Sequence, residues 1–290
     1  MKWQGRRTST NIEDRRSSIG SRTIIGGGLG IGTIVIVIII VLMGGNPADL
    51  LLGILPPATE SVGTYVASAE EEDLVKFVSV VLAETEDVWT TLFEDEGLIY
   101  EKPTLILYSG MVNSSCGTSS ASTGPFYCPG DQNVYIDLSF FTELKAKYKA
   151  PGDFAIAYVI AHEIGHHVQY QLGITEQVFA MQSKVSESEF NEYLVRLELQ
   201  ADYFSGVWAY YANRAELLEA GDLEEALTAA SAVGDDRLQN QAQGYAVPDS
   251  FTHGTSEQRS RWFQRGFTSG TIDDGDTFNA AVLGLLQPAA

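Results

Sequence analysis

The chain has 290 residues, enough for one substantial hydrophobic core, and 44% of them are hydrophobic. It carries 18 basic and 38 acidic side chains, which gives a formal net charge of −20. Nucleic acids and anionic lipid surfaces favour basic proteins, so this balance argues against both, and we expect no nucleic-acid partner.

The N-terminal region predicts a membrane anchor. Residues 1–22 contain six basic and two acidic side chains, and residues 23–43 are almost wholly apolar. About 20 apolar residues suffice for a helix to cross the bilayer core, and a basic flank favours the cytoplasmic side. The sequence therefore predicts a cytoplasmic tail (1–22), one transmembrane helix (23–43), a linker (44–69) and a domain outside the cytoplasm (70–290).

A cleavable signal peptide is the alternative interpretation of the apolar segment. The small residues Ala67-Ser68-Ala69 resemble a cleavage site. A signal peptide, however, has an apolar region of only about 7–15 residues, closely followed by its cleavage site. The longer apolar segment and the distance to residue 67 favour an uncleaved anchor in the bacterial cytoplasmic membrane.

The first part of the domain predicts a helix followed by short strands. Residues 70–93 carry an apolar stripe with helical spacing, and residues 103–108 form an apolar strand pattern. Residues 126–128 and 133–138 then predict a hairpin that turns at Pro129-Gly130-Asp131. A helix follows near residues 140–148, and a more apolar helix begins at about residue 154.

The two cysteines of the chain, Cys116 and Cys128, both lie in the predicted domain. In an oxidising compartment such a close pair most simply forms one disulfide, which would stabilise the fold by about 2–4 kcal/mol. A metal or redox pair is the alternative. The spacing is not C-x-x-C and no histidine lies nearby in sequence, so we favour the disulfide.

The strongest motif is His162-Glu163-Ile164-Gly165-His166, which reads H-E-x-x-H and continues an apolar helical run from Phe154. Positions i and i+4 share one helix face, so both imidazoles can converge on one zinc ion. Glu163 is rotated by about 100° from His162, which suits a general base for bound water. The alternative is a short polar patch on a core helix, but unpartnered polar groups are costly to bury. His167 points away from the ligand face, and we assign it to packing or to support of the metal ligands, not to the metal itself.

A third metal ligand is predicted on a second, long helix over residues 187–214. Glu198 and Asp202 are again i and i+4, so both carboxylates project from one face. We assign Glu198 to the metal and Asp202 to a hydrogen bond with the far nitrogen of a ligand histidine. By itself this spacing is also typical of solvated carboxylates.

Two more helices complete the predicted elements. One covers residues 223–232, and the last begins near Thr255, which has the spacing of a capping box with Gln258. His253 precedes this helix, beside a glycine. Its imidazole could stabilise the oxyanion of a hydrolytic transition state, or it could only bond to backbone and order the loop.

These motifs together resemble a known family. H-E-x-x-H followed by E-x-x-A-D resembles the gluzincin arrangement of membrane zinc proteases, and the wider pattern resembles the bacterial "putative neutral zinc metallopeptidase" family. The resemblance implies a single-pass, membrane-anchored zinc hydrolase of undefined substrate. The segments that carry it run from residue 1 almost to the C-terminus: Met1-Lys2-Trp3, Ser9–Arg16, Gly124–Pro129, Val134–Asp137, Ala161–Gln169, Glu198–Asp202 and Thr252–Arg259.

We therefore predict a mostly helical α+β, zincin-like metallopeptidase domain with a small β-sheet, preceded by one transmembrane helix. His162, His166 and Glu198 would bind one zinc ion per chain, and Glu163 would be the general base for hydrolysis of a peptide or protein substrate.

Three alternatives concern the substrate and the activity. In gluzincins the sheet edge that binds substrate precedes the metal helix. The hairpin at Tyr127 and Tyr135 could therefore bind an extended substrate as an added strand. The alternative is that these aromatic side chains only pack against the sheet. A zinc hydrolase of another amide or ester bond, such as a cell-wall peptide, would use the same residues. A non-catalytic, metal-stabilised binding module is disfavoured because Glu163 is retained.

Overall fold

The computed structural model describes residues 1–17 and 67–279. The predicted transmembrane helix and most of the predicted linker lie outside these ranges. Within them, no helix is both long enough and apolar enough to cross a bilayer. The strands are β1 (Ile12–Asp14), β2 (Thr104–Tyr108), β3 (Met111–Ser114), β4 (Gly117–Ser120), β5 (Phe126–Cys128) and β6 (Asn133–Asp137). The α-helices are α1 (Ala69–Asp95), α2 (Ser139–Ala146), α3 (Asp153–Gln171), α4 (Ile174–Phe179), α5 (Glu187–Arg214), α6 (Asp222–Ala232), α7 (Asp235–Gln243) and α8 (Ser256–Ser269).

The main sheet has four strands in the order β1-β2-β6-β5, and β3 and β4 form a separate hairpin. β1, β2 and β6 are parallel, whereas β5 runs antiparallel to β6. Side chains alternate between the two faces of the sheet. One face joins the helical core through Leu105, Leu107, Val134 and Ile136. The other face carries Ile106 and Tyr135, which pack in a smaller cluster with Val112 of β3.

The helical core is built around α3, which packs against α1, α5 and α6. A helix that is apolar on most of its surface must be buried on most of its surface, and α3 meets this expectation. The largest buried side chains include Trp89, Tyr158, Phe204, Trp208 and Phe263. Burial of each large apolar side chain stabilises the fold by about 1.5–3 kcal/mol, so this core fixes α3 and α5 against each other.

Glycines let three helices approach at backbone distance. A Cβ atom on Gly165 of α3 would lie 2.9 Å from the carbonyl oxygen of Ala201 on α5. Likewise, a Cβ on Gly206 of α5 would lie 2.1 Å from the carbonyl oxygen of Phe263 on α8. Since real Cβ contacts are never this short, only glycine permits these crossings. They bring the motif helix, the long helix and α8 together at one place.

The predicted mostly helical α+β domain with a small sheet is confirmed. The helix predicted over residues 187–214 coincides with α5, and the predicted hairpin coincides with β5 and β6. The capping box of α8 is also present, because the Thr255 side chain accepts from the Gln258 N–H. The sequence analysis missed β1, the β3–β4 hairpin, α4 and α7.

The N-terminal residues differ from the predicted domain division. Residues 1–17 are not separate from the domain: β1 pairs in parallel with β2, and Ile12 packs against the core. The folded unit therefore includes residues 1–17 together with residues 67–279. Three of the basic residues that suggested a cytoplasmic tail, Arg6, Arg7 and Arg16, contact acidic residues of α1.

Candidate metal centre

Three potential metal ligands converge where α3 faces α5. Ligand atoms of His162, His166 and Glu198 all lie within 4.8 Å of one another. The two histidines are one turn apart on α3, and their ring centroids are 4.8 Å apart. His162 Nε2 lies 3.2 Å from Glu198 Oε2, and His166 Nε2 lies 3.4 Å from Glu198 Oε1. The structure thus brings together the three residues that the sequence analysis assigned to the metal.

The geometry of this cluster fits zinc. Zinc–nitrogen and zinc–oxygen bonds of about 2.0–2.2 Å place neighbouring ligand atoms of a tetrahedral site about 3.3–3.6 Å apart. The distances of 3.2 and 3.4 Å from the two imidazole nitrogens to the two oxygens of Glu198 are near this spacing, and one ligand atom from each of the three residues lies within 4.8 Å of the others. Two imidazoles and one carboxylate are also a ligand set that zinc accepts, and a fourth position remains for water or substrate.

Asp202, one turn after Glu198 on α5, orients the first histidine. Its Oδ1 accepts a hydrogen bond from His162 Nδ1 at 3.0 Å and another from the Tyr158 hydroxyl at 2.5 Å. Because Nδ1 donates to a carboxylate, Nε2 keeps its lone pair for a metal. The Asp202 side chain is 0% exposed, so its charge needs a buried partner.

Arg259 of α8 supplies that partner. Its Nε donates to Asp202 Oδ2 at 2.8 Å and its Nη2 to Oδ1 at 3.0 Å, a bidentate pair in which the Arg259 side chain is only 4% exposed. Burial raises the pKa of the Asp202 carboxyl, but the charges of Arg259 and His162 outweigh burial and lower it. Asp202 therefore stays ionised and holds the imidazole in one tautomer.

The carboxylates around the cluster favour positive charge there. Burial lowers the pKa of His162, but the carboxylates of Asp202 and Glu198 outweigh burial and raise it to about 9. Burial likewise raises the pKa of Glu198, and the neighbouring histidines reverse this shift and lower it well below its usual value. Positive charge at this position is thus stabilised by buried carboxylates, and a divalent metal would satisfy the same groups.

The side-chain amides of Gln169 and Gln200 orient the second metal-binding histidine, His166. His166 Nδ1 donates to Gln169 Oε1 at 2.9 Å. The Gln169 amide donates to the Leu197 carbonyl at 2.6 Å and to Gln200 Oε1 at 3.1 Å, and the Gln200 amide donates to the Gly275 carbonyl at 2.9 Å. Backbone carbonyls can only accept, so they fix the orientation of both amides. His166 must then carry its proton on Nδ1, which leaves Nε2 for a metal.

Replacement of Gln169 by Leu tests these hydrogen bonds. The variant lacks the acceptor for His166, and loss of such an outer partner typically weakens metal binding about 10–100-fold. We expect the zinc dissociation constant, measured by competition with a chelator, to rise by that factor. Gln177→Leu, on the exposed side of α4, is the matched control and should leave it unchanged. Equal affinity in both variants would contradict the assigned role of Gln169.

Glu163 lies next to His162 on α3 and is 8% exposed. It directly follows one metal ligand and precedes the other, His166, by three residues in the middle of α3, as the sequence analysis required of the general base. A carboxylate beside the fourth position of a zinc site can accept a proton from water there.

His253, the other residue predicted to act in catalysis, lies in the loop before α8. Asp235, at the start of α7, accepts from the backbone N–H groups of Thr252, His253 and Gly254 at 2.8, 2.6 and 3.1 Å. It also lies 3.3 Å from His253 Nδ1. Burial lowers the pKa of His253, but the charges of Glu198 and Asp235 outweigh it, and the pKa is raised. The carboxylates of Glu198 and Asp235 thus favour the charged form of this imidazole.

His167 is not part of the metal cluster, as the sequence analysis expected. Its Nε2 donates to the Glu101 carbonyl at 2.6 Å, and its Nδ1 accepts from the Tyr127 hydroxyl at 3.0 Å. Burial lowers the pKa of His167 to about 4, so the ring is neutral. This contact ties edge strand β5 to the metal helix.

Tyr135 and the two cysteines pack or cross-link the strands around the sheet. Tyr135 stacks on Phe126 with ring centroids 4.8 Å apart and is buried, which supports packing as its function. The predicted disulfide between Cys116 and Cys128 is confirmed, with a Cα–Cα distance of 5.8 Å. It connects the end of β5 to the turn between β3 and β4.

Sequence reasoning missed four residues that support the site: Gln169, Gln200, Asp235 and Arg259. Gln169 had a detectable signal, because it lies three residues after His166 and so projects from the same side of the helix. Asp235 contacts His253 directly, whereas Gln200 supports His166 through Gln169 and Arg259 supports His162 through Asp202. All three lie far in sequence from the histidine that they support, and no local spacing pattern indicates the contact.

A helix that presents two histidines and the intervening glutamate, with a carboxylate supplied by a later helix, defines the zinc-metallopeptidase class of site. The comparisons with known proteins agree. The family described as "Putative neutral zinc metallopeptidase" matches residues 1–278, and the chain belongs to this family.

Two relatives are similar to the chain over different lengths. "Uncharacterized protein YpfJ" of Escherichia coli K12 is 49% identical over 288 residues, which cover 97% of this chain and 100% of that protein. "Uncharacterized protein Rv2575" of Mycobacterium tuberculosis H37Rv is 43% identical over 196 residues, which cover 64% of this chain and 65% of that protein. No solved structure matches the chain significantly.

Proposed function

We propose that the protein is a zinc-dependent metallopeptidase that hydrolyses peptide bonds. The observation that carries this proposal is the cluster of His162, His166 and Glu198, whose ligand atoms lie within 4.8 Å of one another beside the buried Glu163. A closed structural zinc site would use four protein ligands. Three ligands next to a potential base are instead typical of a hydrolytic site.

The roles of the residues follow from their positions. A zinc ion bound by the three ligands would polarise the scissile carbonyl and lower the pKa of water toward about 7. Glu163 takes the proton from the attacking water and delivers it to the leaving amine. Asp202 and Gln169 hold the two histidines in the tautomer that leaves each Nε2 available, through the hydrogen bonds described above.

His253 is proposed as a donor to the oxyanion of the transition state. His253 Nδ1 lies 3.0 Å from Thr252 Oγ1 and 3.3 Å from Asp235 Oδ1, so Nε2 is the ring nitrogen that would donate to a substrate oxygen. The loop itself is held by the three backbone bonds to Asp235, which do not involve the imidazole. Removal of the ring should therefore leave the loop in place.

His253→Ala is expected to lower kcat about 10²–10³-fold, the usual effect of losing one oxyanion donor. Zinc content and thermal stability should stay near those of the parent, because the Asp235 bonds to the loop backbone remain. Steady-state kinetics with a peptide substrate measures the effect. A variant with normal kcat, or one that unfolds, would assign His253 to a structural role instead.

The substrate is proposed to be an extended peptide or protein segment. β5 is an edge strand that is joined to the metal helix through Tyr127 and His167, so a peptide added along this edge would lie beside the site. Digestion of a peptide library, in parallel with a panel of simple esters and non-peptide amides, tests the substrate class. Cleavage confined to the panel would support the alternative of another zinc hydrolase.

We further propose that the domain acts outside the cytoplasm and is attached to the membrane through the apolar segment at residues 23–43. The Cys116–Cys128 disulfide supports an oxidising compartment. The length and apolar character of the segment support membrane attachment.

A further inference from the structure

Residues 1–17, here called the N-terminal arm, are hydrogen-bonded into the domain. β1 pairs with β2 in the register Ile12↔Leu105, Glu13↔Ile106 and Asp14↔Leu107. At the two ends of the pair, the Leu105 N–H donates to the Asn11 carbonyl at 2.8 Å and the Arg15 N–H donates to the Leu107 carbonyl at 2.7 Å. The arm thus forms one edge of the main sheet, opposite to β5.

The basic side chains of the arm pair with acidic side chains of α1. Arg6 lies 3.1 Å from Glu84, and Arg7 lies 2.8 Å from Asp87. Arg16 lies 3.0 Å from Glu72, and its side chain is only 4% exposed. These arginines contribute to the basic excess that, in the sequence, indicated the cytoplasmic side of a membrane. Their charges are compensated within the fold.

A buried carboxylate of α1 also depends on the arm. The Glu86 side chain is 2% exposed and accepts hydrogen bonds from the Ser9 hydroxyl, from Asn11 Nδ2 at 2.8 Å and from Arg7 Nη1 at 3.2 Å. The Ser9 N–H donates to the Ser79 carbonyl at 2.9 Å. Removal of the arm would leave Glu86 without these donors, which is costly for a buried charge. The arm is therefore part of the folded domain.

We infer that the N-terminal arm and the domain fold in the same compartment, so the chain between residues 17 and 67 begins and ends on one side of the membrane. A single crossing would separate the two flanks by the hydrocarbon core, which is about 30 Å thick. The backbone hydrogen bonds between the arm and the domain are only 2.7–2.9 Å long. They cannot form if the arm and the domain lie on opposite sides of the membrane. This inference replaces the predicted cytoplasmic tail, and it does not depend on the proposed enzymatic activity.

Cysteine labelling of the full chain in bacterial spheroplasts tests the inference. Thr8 of the arm and Thr91 of α1 are both exposed, so Thr8→Cys and Thr91→Cys are matched reporters that avoid the core. Each variant is treated with a membrane-impermeant maleimide before and after lysis, and the signal is normalised to labelling after denaturation. The parent chain serves as the blank for the native cysteines.

The two reporters should behave alike, either both reacting before lysis or both only after it. Placement of the domain outside the cytoplasm predicts the first of these outcomes, but either one supports a shared compartment. Reaction of one reporter before lysis and of the other only after it would place the arm and the domain on opposite sides. That result would overturn the inference and restore a single membrane crossing.

Discussion

Replacement of Glu163 by Gln is expected to lower kcat about 10²–10⁴-fold, the usual contribution of general acid–base catalysis. The amide has the shape of the carboxylate but cannot take a proton from water. Glu163 is not one of the three clustered ligands, so about one zinc ion per chain should remain bound. Hydrolysis of a peptide substrate and metal analysis of the same preparation measure the two expectations.

The matched control is Glu176→Gln, at an exposed position of α4, which should leave both kcat and zinc content unchanged. The opposite pattern for Glu163→Gln, with zinc lost and turnover intact, would show that Glu163 is a ligand and not the base. Full activity with zinc retained would remove Glu163 from the mechanism.

Replacement of Arg259 by Met is expected to lower the free energy of unfolding by about 3–5 kcal/mol, because it removes the guanidinium that pairs with both oxygens of the buried Asp202 carboxylate. Asp202 is 0% exposed, and Arg259 donates to both of its oxygens. Denaturant unfolding in the presence of a chelator measures the effect without a contribution from bound metal.

Arg261→Met provides the control, since Arg261 is on the same helix and pairs with the exposed Glu257 at the surface. An exposed ion pair contributes only about 0–1 kcal/mol. The double variant Arg259→Met/Asp202→Asn should recover part of the lost stability, because it also removes the buried negative charge that Arg259 balances. A loss for Arg259→Met no larger than that for Arg261→Met would contradict the buried ion pair.

The elements that carry the site could be predicted because they are long and locally patterned. α5 has 28 residues with helical periodicity and a capping box at Ser186, so its extent coincides with the predicted range. The H-E-x-x-H spacing places both histidines on one face of α3 before any tertiary contact is known. Glu198 and Asp202 share a face of α5 for the same reason.

The parts that were missed depend on contacts between distant residues. β1 is only three residues long, and its partner Leu105 lies far along the chain from Ile12. The apolar segment at residues 23–43 follows the arm and therefore predicts that the arm is separate from the domain. The run of basic residues is also consistent with membrane topology, and only the structure shows its acidic partners on α1.

The support for the site was missed for a related reason. α7 has the polar sequence DDRLQNQAQ, which lacks an apolar stripe, so neither the helix nor Asp235 could be recognised. Arg259 follows the capping residue of α8 closely, where a basic residue is usually solvated. Its burial results from the close crossing of α5 and α8 at Gly206.

Zinc titration of the metal-stripped full chain shows whether His162, His166 and Glu198 together hold one metal ion. The parent chain should bind about one zinc ion, and a chain with both His166→Ala and Glu198→Ala should bind none at the same site. Equal zinc binding by the parent and the double variant would show that the metal lies elsewhere and would contradict the assignment of this cluster as the catalytic centre.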